Sequence, residues 1–286
     1  MKEGQISWTA MGTAAMRAIE SEKPANVRIC YDPLARELTA TWFYHLIRLL
    51  AGYGEQRTHG ALTFIVCRYR YINDYLHDCI GSGIRQVVIL GAGLDSRAYQ
   101  GELVEKGIKT FEVDYPASQM YKVKKIKKVL KVIPENITYI PIDFEKETLD
   151  KLLSFGFNRS LKTLFIWEGV TPYLDPATVN ATLGWVSTNG TPGSSIVFDY
   201  QYRGGSQEPD KRDHLYEMIS GVSKERRSYG IEKGRIVDFL EQSGFINMVD
   251  VNADKLKRLY CTGPNKGRTP AANYAIVHAE VAEKSP

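Results

Sequence analysis

The segment from Arg85 to Pro116 constrains the fold of this chain more than any other, and it reads RQVVILGAGLDSRAYQGELVEKGIKTFEVDYP. Residues 87–90 are a continuous apolar run, which is typical of a parallel strand buried on both faces. Gly91 and Gly93 follow this run, and glycine allows a tight turn and a close approach of the backbone to a ligand. The pattern then predicts a helix whose N-terminus faces the turn, and a second strand that ends at Asp114.

This order of strand, glycine turn, helix, strand and acid is that of one half of a doubly wound nucleotide-binding sheet, in which the acid can hold a ribose. Five more strands are predicted after it, and helical patterns alternate with most of them: 137–142, 161–167, 195–199, 247–251 and 272–281. We therefore expect an α/β fold with a seven-stranded, mostly parallel sheet and helices on both faces.

The chain contains no Pro/Ser-rich linker, so we expect a single domain over residues 1–286. Residues 1–80 would form an N-terminal helical cap and residues 81–200 the cofactor-binding core. Residues 201–230 are rich in glycine and then in charge, which suits a lid or insertion. Residues 231–286 would complete the sheet.

Apolar residues at helical spacing predict helices over 8–22, 34–53 and 58–79 in the cap. The helix over 34–53 has one apolar side, which we expect to be a packing face: Leu38, Trp42, Leu46, Leu49 and Leu50. A further helix is predicted over 121–133, where we interpret the many lysines as its solvated face.

Composition and charge exclude several classes of function. Hydrophobic residues make up 43% of the chain and the net charge is +4, which is ordinary for a globular protein and too small to indicate nucleic-acid binding. No window of about 18 apolar residues is free of charge, so we expect no membrane span. The N-terminus lacks the apolar core of a signal peptide, and we expect a cytoplasmic protein with four buried thiols. The five histidines share no metal-ligand spacing, so we expect no metal site.

Acidic side chains follow three of the predicted parallel strands, at Asp114, Asp143 and Glu168. The carboxyl ends of such strands meet at one edge of the sheet, where open α/β proteins bind their ligands. A dinucleotide site requires a third glycine after the turn, but Ser96 occupies that position and Asp95 would bring negative charge near a pyrophosphate. S-adenosylmethionine has no phosphate and carries a positive sulfonium, so the acids favour it over a nicotinamide cofactor.

Four motifs in order, GAGLDSRAY, FEVDYP, an Asp after the next strand and WEGVTPYL, resemble the leucine carboxyl methyltransferase family. That family includes bacterial S-adenosylmethionine-dependent methyltransferases and the polyketide carboxyl methyltransferases of the tetracenomycin type. The resemblance implies a Rossmann-like class I methyltransferase that transfers a methyl group to a carboxyl group, leaving S-adenosylhomocysteine. The acceptor would be a small, polyketide-like molecule.

The resemblance also implies a set of cofactor-binding residues. Arg68, before the glycine turn, would bind the methionine carboxylate, and the turn at Gly91, Ala92 and Gly93 would pass close to the cofactor. Asp114 would hold the ribose, with Tyr115 beside the adenine. Asp143 and Phe144 would contact the adenine amine and ring, and Glu168 would lie near the methionine part. Some members of the family have a further N-terminal lysine at this site. Here Arg17, Lys23 and Arg28 are candidates for its role, none at a convincing spacing, and the contact stays unassigned.

The acceptor is less constrained by the sequence than the cofactor. A carboxylate acceptor is already ionised at neutral pH and needs no general base, whereas a phenol would need one. No catalytic residue is predicted, which is consistent with a carboxylate. Tyr173 and the basic residues Arg203, Lys211 and Arg212 could meet an acidic acceptor. An NAD(P)-dependent oxidoreductase and a non-catalytic cofactor-binding scaffold remain the alternatives.

Overall fold

Seven strands form a single sheet in the computed structural model of the chain, which describes residues 7–52, 60–144, 146–203 and 229–283. The strands are β1 Gln86–Leu90, β2 Lys109–Asp114, β3 Ile137–Pro141, β4 Thr163–Trp167, β5 Ser195–Gln201, β6 Phe245–Asn252 and β7 Tyr274–Val281. Their order is β3-β2-β1-β4-β5-β7-β6, and β7 runs in the opposite direction to the other six strands. The predicted mostly parallel sheet is confirmed.

Helices connect the strands and precede the sheet. They are α1 Trp8–Ser21, α2 Ala35–Leu38, α3 Thr41–Gly52, α4 Ala61–Gly81, α5 Gly101–Glu105, α6 Pro116–Val129, α7 Lys151–Ser154, α8 Pro176–Asn189, α9 Ile236–Gln242 and α10 Ala253–Tyr260. Short 3₁₀ turns occur at Arg97–Tyr99, Thr171–Tyr173 and Gly263–Asn265. No helix of the described residues is long and apolar enough to cross a membrane.

The central strand β1 explains why helices cover both faces of the sheet. Its side chains alternate, so that Val87 and Ile89 face one apolar core while Val88 and Leu90 face the other. Residues of α1, α3, α4 and α6 fill the first core, and residues of α7, α8 and α9 fill the second. Because every residue of β1 is buried, no alternation of polar and apolar residues marks this strand in the sequence.

The predicted helix over 34–53 is wrong in its course and in its packing face. Thr39 adopts an extended conformation between α2 and α3, so the second helix does not continue the rotation of the first. As a result Trp42 and Leu49 are 58% and 62% exposed, whereas Phe43 and Ile47 are buried. Residue 53, where the prediction ended, lies outside the described residues.

Two further helix predictions need correction. The helix predicted over 121–133 is α6, which begins at Pro116 and ends at Val129, and its Lys122 is buried rather than solvated. No helix begins at the glycine turn: a 3₁₀ turn comes first, and α5 starts only at Gly101. Asp95, Ser96 and Arg97 instead form hydrogen bonds within the turn and with neighbouring elements.

The proposed lid falls mostly on residues 204–228, which lie outside the described residues, as do Lys211 and Arg212. The boundaries of the cap, core and C-terminal part therefore stay predictions. The four cysteines are buried, as expected from the sequence.

Candidate cofactor-binding site

A cavity of about 430 Å³ opens where the parallel strands end at their carboxyl edge. Its walls are formed by the start of α1, the turn after β1, the end of β2, the segment after β3 and the segment after β4. Ten of the residues predicted from the sequence line it: Arg68, Gly91, Ala92, Gly93, Asp114, Tyr115, Asp143, Phe144, Glu168 and Tyr173. The structure thus brings together side chains that are up to 105 positions apart, from 68 to 173.

The turn after β1 needs its glycines for two different reasons. Gly91 has a φ of 65°, and a Cβ there would lie 2.4 Å from Cγ2 of Val170, so a side chain would be strained and would have to displace Val170. A Cβ on Gly93 would lie 3.3 Å from Cβ of Ala10, so α1 packs close above the turn. The N–H of Ala92 donates to the Val113 carbonyl at 3.0 Å, which fixes the turn against β2.

Asp114 ends β2 and is tied to the turn. Its Oδ2 accepts the N–H of Gly93 at 2.8 Å, and its Oδ1 accepts the N–H of Tyr115 at 2.8 Å. Burial raises the pKa of this carboxyl to about 6, and the two N–H donors and Lys122 oppose that rise. Each oxygen keeps acceptor capacity toward the cavity, so the carboxylate can still accept from a pair of hydroxyl groups.

Arg68 of α4 is held between two carboxylates. Its Nε donates to Oε1 of Glu168 at 3.0 Å, and its Nη1 donates to Oδ2 of Asp199 at 2.7 Å. The other oxygen of Asp199 accepts the N–H of Gly169 at 2.6 Å. The third nitrogen, Nη2, lies beside Gly169, where a Cβ would be only 3.4 Å away. Since all these groups are buried, the guanidinium has a fixed direction, which suits recognition of a ligand carboxylate.

Glu168 is shared by two arginines. Its Oε2 accepts from Nη1 of Arg97 at 2.7 Å, and the same guanidinium pairs with Asp95. Burial alone would raise the pKa of Glu168, but the guanidinium groups of Arg97, Arg68 and Arg17 outweigh it and lower the pKa to about 2. The carboxyl is therefore ionised throughout the physiological range.

Arg17 of α1 is the one of the three candidates for the unassigned contact that lines the cavity. It is buried, its Nε pairs with Asp32 at 2.9 Å, and its Nη2 donates to the Leu94 carbonyl at 2.7 Å. Arg17 thereby joins α1 to the segment after the glycine turn, and it contributes a positive charge to the cavity wall.

Comparison with known proteins decides the family. The model of the family described as leucine carboxyl methyltransferase matches residues 10–187. The chain belongs to this family. It is an S-adenosylmethionine-dependent methyltransferase. The residues that line its cavity include those that the resemblance to this family predicted.

Two bacterial relatives are named putative S-adenosyl-L-methionine-dependent methyltransferases. The protein YktD of Bacillus subtilis is 29% identical over 75% of this chain and 71% of its own length. A protein of Streptomyces coelicolor is 32% identical over 68% of this chain and 69% of its own length. Among solved structures, a DUF574 family protein of Streptomyces avermitilis aligns with a TM-score of 0.60 at 9% identity, covering 94% of this chain and 97% of that chain. This last likeness concerns the fold alone.

Another wall of the methyltransferase cavity is formed by the segment after β3. Asp143 pairs there with Lys146 at 3.3 Å, and its N–H donates to Glu147. Phe144 and Tyr115 are half-buried and both line the cavity. Two aromatic rings can pack against a purine, and a carboxylate can accept a hydrogen bond from its amine.

The two residues predicted to meet the acceptor are not together. Tyr173, in the 3₁₀ turn after β4, lines the methyltransferase's main cavity. Arg203 lies beside a separate pocket of about 310 Å³, and its Nε donates to the Gly230 carbonyl at 3.2 Å. Its role toward an acceptor stays a prediction.

Two charged residues of the methyltransferase site, Asp199 and Arg97, and one buried residue outside the cavity lining, Lys122, were missed in the sequence. Asp199 lies on β5, near its carboxyl end, so the rule that selected the acids after β2, β3 and β4 could have found it. Arg97 stands inside the GAGLDSRAY motif, which offered a position but no role. Lys122 was assigned to a solvated face, because a single buried residue does not change the helical period of its neighbours.

Proposed function

We propose that the enzyme is an O-methyltransferase that transfers the methyl group of S-adenosylmethionine to a carboxyl oxygen of a small, polyketide-like molecule. The proposal has two parts, the way in which the cavity holds the cofactor and the chemical class of the acceptor. Each part is supported by different residues and is tested by a different measurement.

The cofactor part assigns one group of the cofactor to each wall of the cavity. Nη2 of Arg68 binds the methionine carboxylate, while Glu168, on the same wall, attracts the ammonium and the sulfonium. Asp114 accepts from the two ribose hydroxyls, since it ends β2 at the cavity and its Oδ2 is bound to the N–H of Gly93 in the turn that would carry the ribose. Tyr115 and Phe144 pack on the adenine. Gly91, Ala92 and Gly93 line the same cavity, and the backbone of this turn would pass close to the cofactor.

Asp143 completes the adenine end of the proposed site. Its carboxylate would accept from the exocyclic amine, because that amine is a donor and the carboxylate is an acceptor. Lys146 is mostly exposed and pairs with the same carboxylate, so it would have to share Asp143 with the adenine.

The observation that carries the carboxyl proposal is the state of the acids and bases in the cavity. Among the described residues that line it there is no histidine. Glu168 is a poor proton acceptor, because the guanidinium groups of Arg97, Arg68 and Arg17 hold its pKa near 2. The raised pKa of Asp114 would suit a base, but this carboxylate accepts from two N–H groups and is assigned here to the ribose hydroxyls, and Asp143 pairs with a lysine. A phenol would need a base at this site, whereas a carboxylate loses its proton in solution.

Methyl transfer then depends on position rather than on proton transfer. S-adenosylmethionine supplies an electrophilic methyl group on a positively charged sulfur. A carboxylate oxygen held about 3–3.5 Å from the methyl carbon, in line with the carbon–sulfur bond, forms the new bond while that bond breaks. The products are a neutral ester and a neutral thioether, so positive and negative charge disappear together. Displacement of water from the cavity by the two reactants would favour such a charge-cancelling step, because water stabilises separated charges more than a water-poor site does.

Transfer of labelled methyl groups to paired acceptors tests the acceptor class. Aromatic and aliphatic carboxylic acids are each offered beside the phenol or alcohol of the same skeleton, with S-adenosylmethionine labelled in the methyl group. A methyl ester releases labelled methanol in mild alkali, whereas a methyl ether does not. We expect alkali-labile label from the acids only. Alkali-stable label from the phenols would contradict the carboxyl proposal and leave the cofactor part standing.

Two variants test the acceptor residues in the same assay. Tyr173→Phe should raise the Michaelis constant for the acceptor and leave that for S-adenosylmethionine unchanged, because Tyr173 lies in the cavity outside the cofactor contacts proposed above. Arg203→Ala should act in the same way if the arginine reaches the acceptor. Unchanged constants in either variant remove that residue from the acceptor site.

The cellular location is a separate proposal. Buried thiols are typical of proteins kept in a reducing compartment, and all four cysteines are buried. We propose the cytoplasm, and fractionation of cells that express the protein with a C-terminal tag tests this: recovery outside the cytoplasmic fraction would contradict it.

A further inference from the structure

Lys122 is a charged residue in the interior of the protein that the cofactor site described above does not use. It lies on α6, and its side chain is 1% exposed, whereas Lys124, Lys127 and Lys128 of the same helix are exposed. Burying an ammonium group is costly unless it is paired and hydrogen-bonded. The position of Lys122 therefore calls for an account of what its charge does.

The ammonium group of Lys122 makes two contacts. It pairs with Oε1 of Glu112 at 2.6 Å, and that carboxylate is also 1% exposed. It donates at 3.4 Å to the carbonyl of Ala92, the middle residue of the glycine turn. Because the N–H of Ala92 is bound to the Val113 carbonyl, this residue is held from both sides. The carbonyl also accepts the N–H of Asp95 at 2.8 Å, so Lys122 is a second donor to it and the one that comes from a side chain.

Glu112 is itself held in one orientation. The hydroxyl of Tyr99 donates to its Oε2 at 2.9 Å, and Tyr139 lies 3.1 Å from that hydroxyl. The side-chain amide of Gln119, on α6, donates to the backbone carbonyl of Glu112 at 3.0 Å. Lys122 therefore ends a fixed network that reaches from β3, through the 3₁₀ turn and β2, to the glycine turn.

The network also acts on the acid at the end of β2. Glu112 and Asp114 are two positions apart on one strand, so both side chains leave the same face of the sheet. The positive charge of Lys122 stabilises the ionised form of Asp114 and opposes the rise of its pKa through burial. Among the described residues, the other titratable groups that face the Lys122–Glu112 pair are Tyr99 and, at longer range, Tyr139 and Asp95.

We propose that Lys122 is a positioning residue for cofactor binding, which holds the carbonyl of Ala92 together with the N–H of Asp95 and places a positive charge near Asp114. The inference rests on the proposed role of Asp114 and the glycine turn in holding the cofactor. Lys122 itself touches neither cofactor nor acceptor. It acts through the shape of the turn and through the charge of the acid.

The experiment uses a pair of variants that avoids an unpaired buried charge. Lys122→Met alone would leave Glu112 buried without its partner and could unfold the protein. The double variant Lys122→Met/Glu112→Gln removes both charges, and the amide oxygen of the new side chain can still accept from Tyr99. Glu112→Gln alone shows what the loss of the acid contributes. Lys124→Met is the matched control, because it removes a lysine from the exposed side of the same helix.

Two measurements on the ligand-free protein decide the proposal without reference to activity. The first is the titration of the Asp114 carboxyl carbon by nuclear magnetic resonance, assigned with Asp114→Asn. In the double variant its midpoint should rise by about one pH unit, which corresponds to a tenfold change in ionisation. The second is the hydrogen exchange of the Gly93 amide, which should become faster because the turn loses one of its anchors. Lys124→Met should change neither.

The binding of S-adenosylhomocysteine completes the test. At pH 7 the double variant should bind it about twofold more weakly than the wild type, and the loss should grow to about tenfold as the pH falls to 5. An unchanged Asp114 titration and an unchanged Gly93 exchange in a folded double variant would overturn the proposal. If the wild type fails to bind S-adenosylhomocysteine, the proposed cofactor site is refuted, and the two ligand-free measurements still decide what Lys122 does.

Discussion

The ionisation of Asp114 gives a prediction in which cofactor binding and protein stability have opposite pH dependences. Burial raises the pKa of this carboxyl to about 6 from an ordinary value of 3.8. In the free protein the protonated form is therefore favoured by folding. Its contribution to stability is fully present below about pH 4 and is lost as the pH rises through 6. Binding of the ribose instead requires the carboxylate, so affinity should rise over the same range.

The size of the effect follows from the fraction ionised. At pH 5, one unit below the pKa, about one carboxyl in eleven is ionised, so the affinity for S-adenosylhomocysteine should be about tenfold lower than at pH 7.5. Asp114→Asn should abolish this dependence. The variant also replaces two charged acceptors with a neutral amide, and hydrogen bonds to charged groups contribute about 1 kcal/mol more each. We expect a loss of about 2 kcal/mol, or about thirtyfold, at pH 7.5.

Isothermal titration calorimetry with S-adenosylhomocysteine between pH 5 and 7.5 measures both quantities. The same titration in buffers of different ionisation enthalpy counts the protons released on binding, which should approach one near pH 5 for the wild type and be close to zero for Asp114→Asn. A wild-type affinity that is flat across this range would refute the assignment of the raised pKa to Asp114. Equal affinities of wild type and Asp114→Asn at pH 7.5 would refute its contact with the ribose.

Three other predictions, made with four substitutions, test separate parts of the structure. Gly91→Ala should abolish binding of S-adenosylhomocysteine by calorimetry while the protein still folds, because the new methyl group would displace Val170 at the cavity wall; normal affinity would contradict the close packing of the turn. Arg97→Met should lower the free energy of unfolding in urea by about 3–5 kcal/mol, since it leaves buried carboxylates without their partner, and a loss below 1 kcal/mol would contradict this. Ile47→Ala should lower the free energy of unfolding by about 2–5 kcal/mol in the same assay, because Ile47 is buried. Leu49→Ala, on the exposed side of α3, should lower it by under 1 kcal/mol. Similar losses in the two variants would contradict the corrected packing face.

The cofactor site could be predicted from the sequence because its residues stand at strand ends. A buried parallel strand is a continuous apolar run, and the residue after it marks the edge of the sheet without any knowledge of tertiary packing. That is why Asp114, Asp143 and Glu168 could be placed at one edge, and all three line one cavity. The glycine turn was located by the same signal.

The partners of these residues could not be predicted in the same way. Arg17 and Arg68 come from helices of the cap, and nothing local in the sequence states which turn of a helix faces the sheet edge. The relative direction of α2 and α3 depends on the extended conformation of Thr39. This direction decides whether the side chain of Trp42 is buried or exposed. Lys122 is buried because Glu112 on a different element neutralises it, which is a tertiary contact.

A crystal structure of the protein with S-adenosylhomocysteine tests the central claim most directly. The account predicts the ligand in the 430 Å³ cavity, with both ribose hydroxyls within hydrogen-bond distance of Asp114, the carboxylate on Arg68 and the adenine beside Phe144. A ligand that lies elsewhere, or one that occupies the cavity with its ribose away from Asp114, would contradict it.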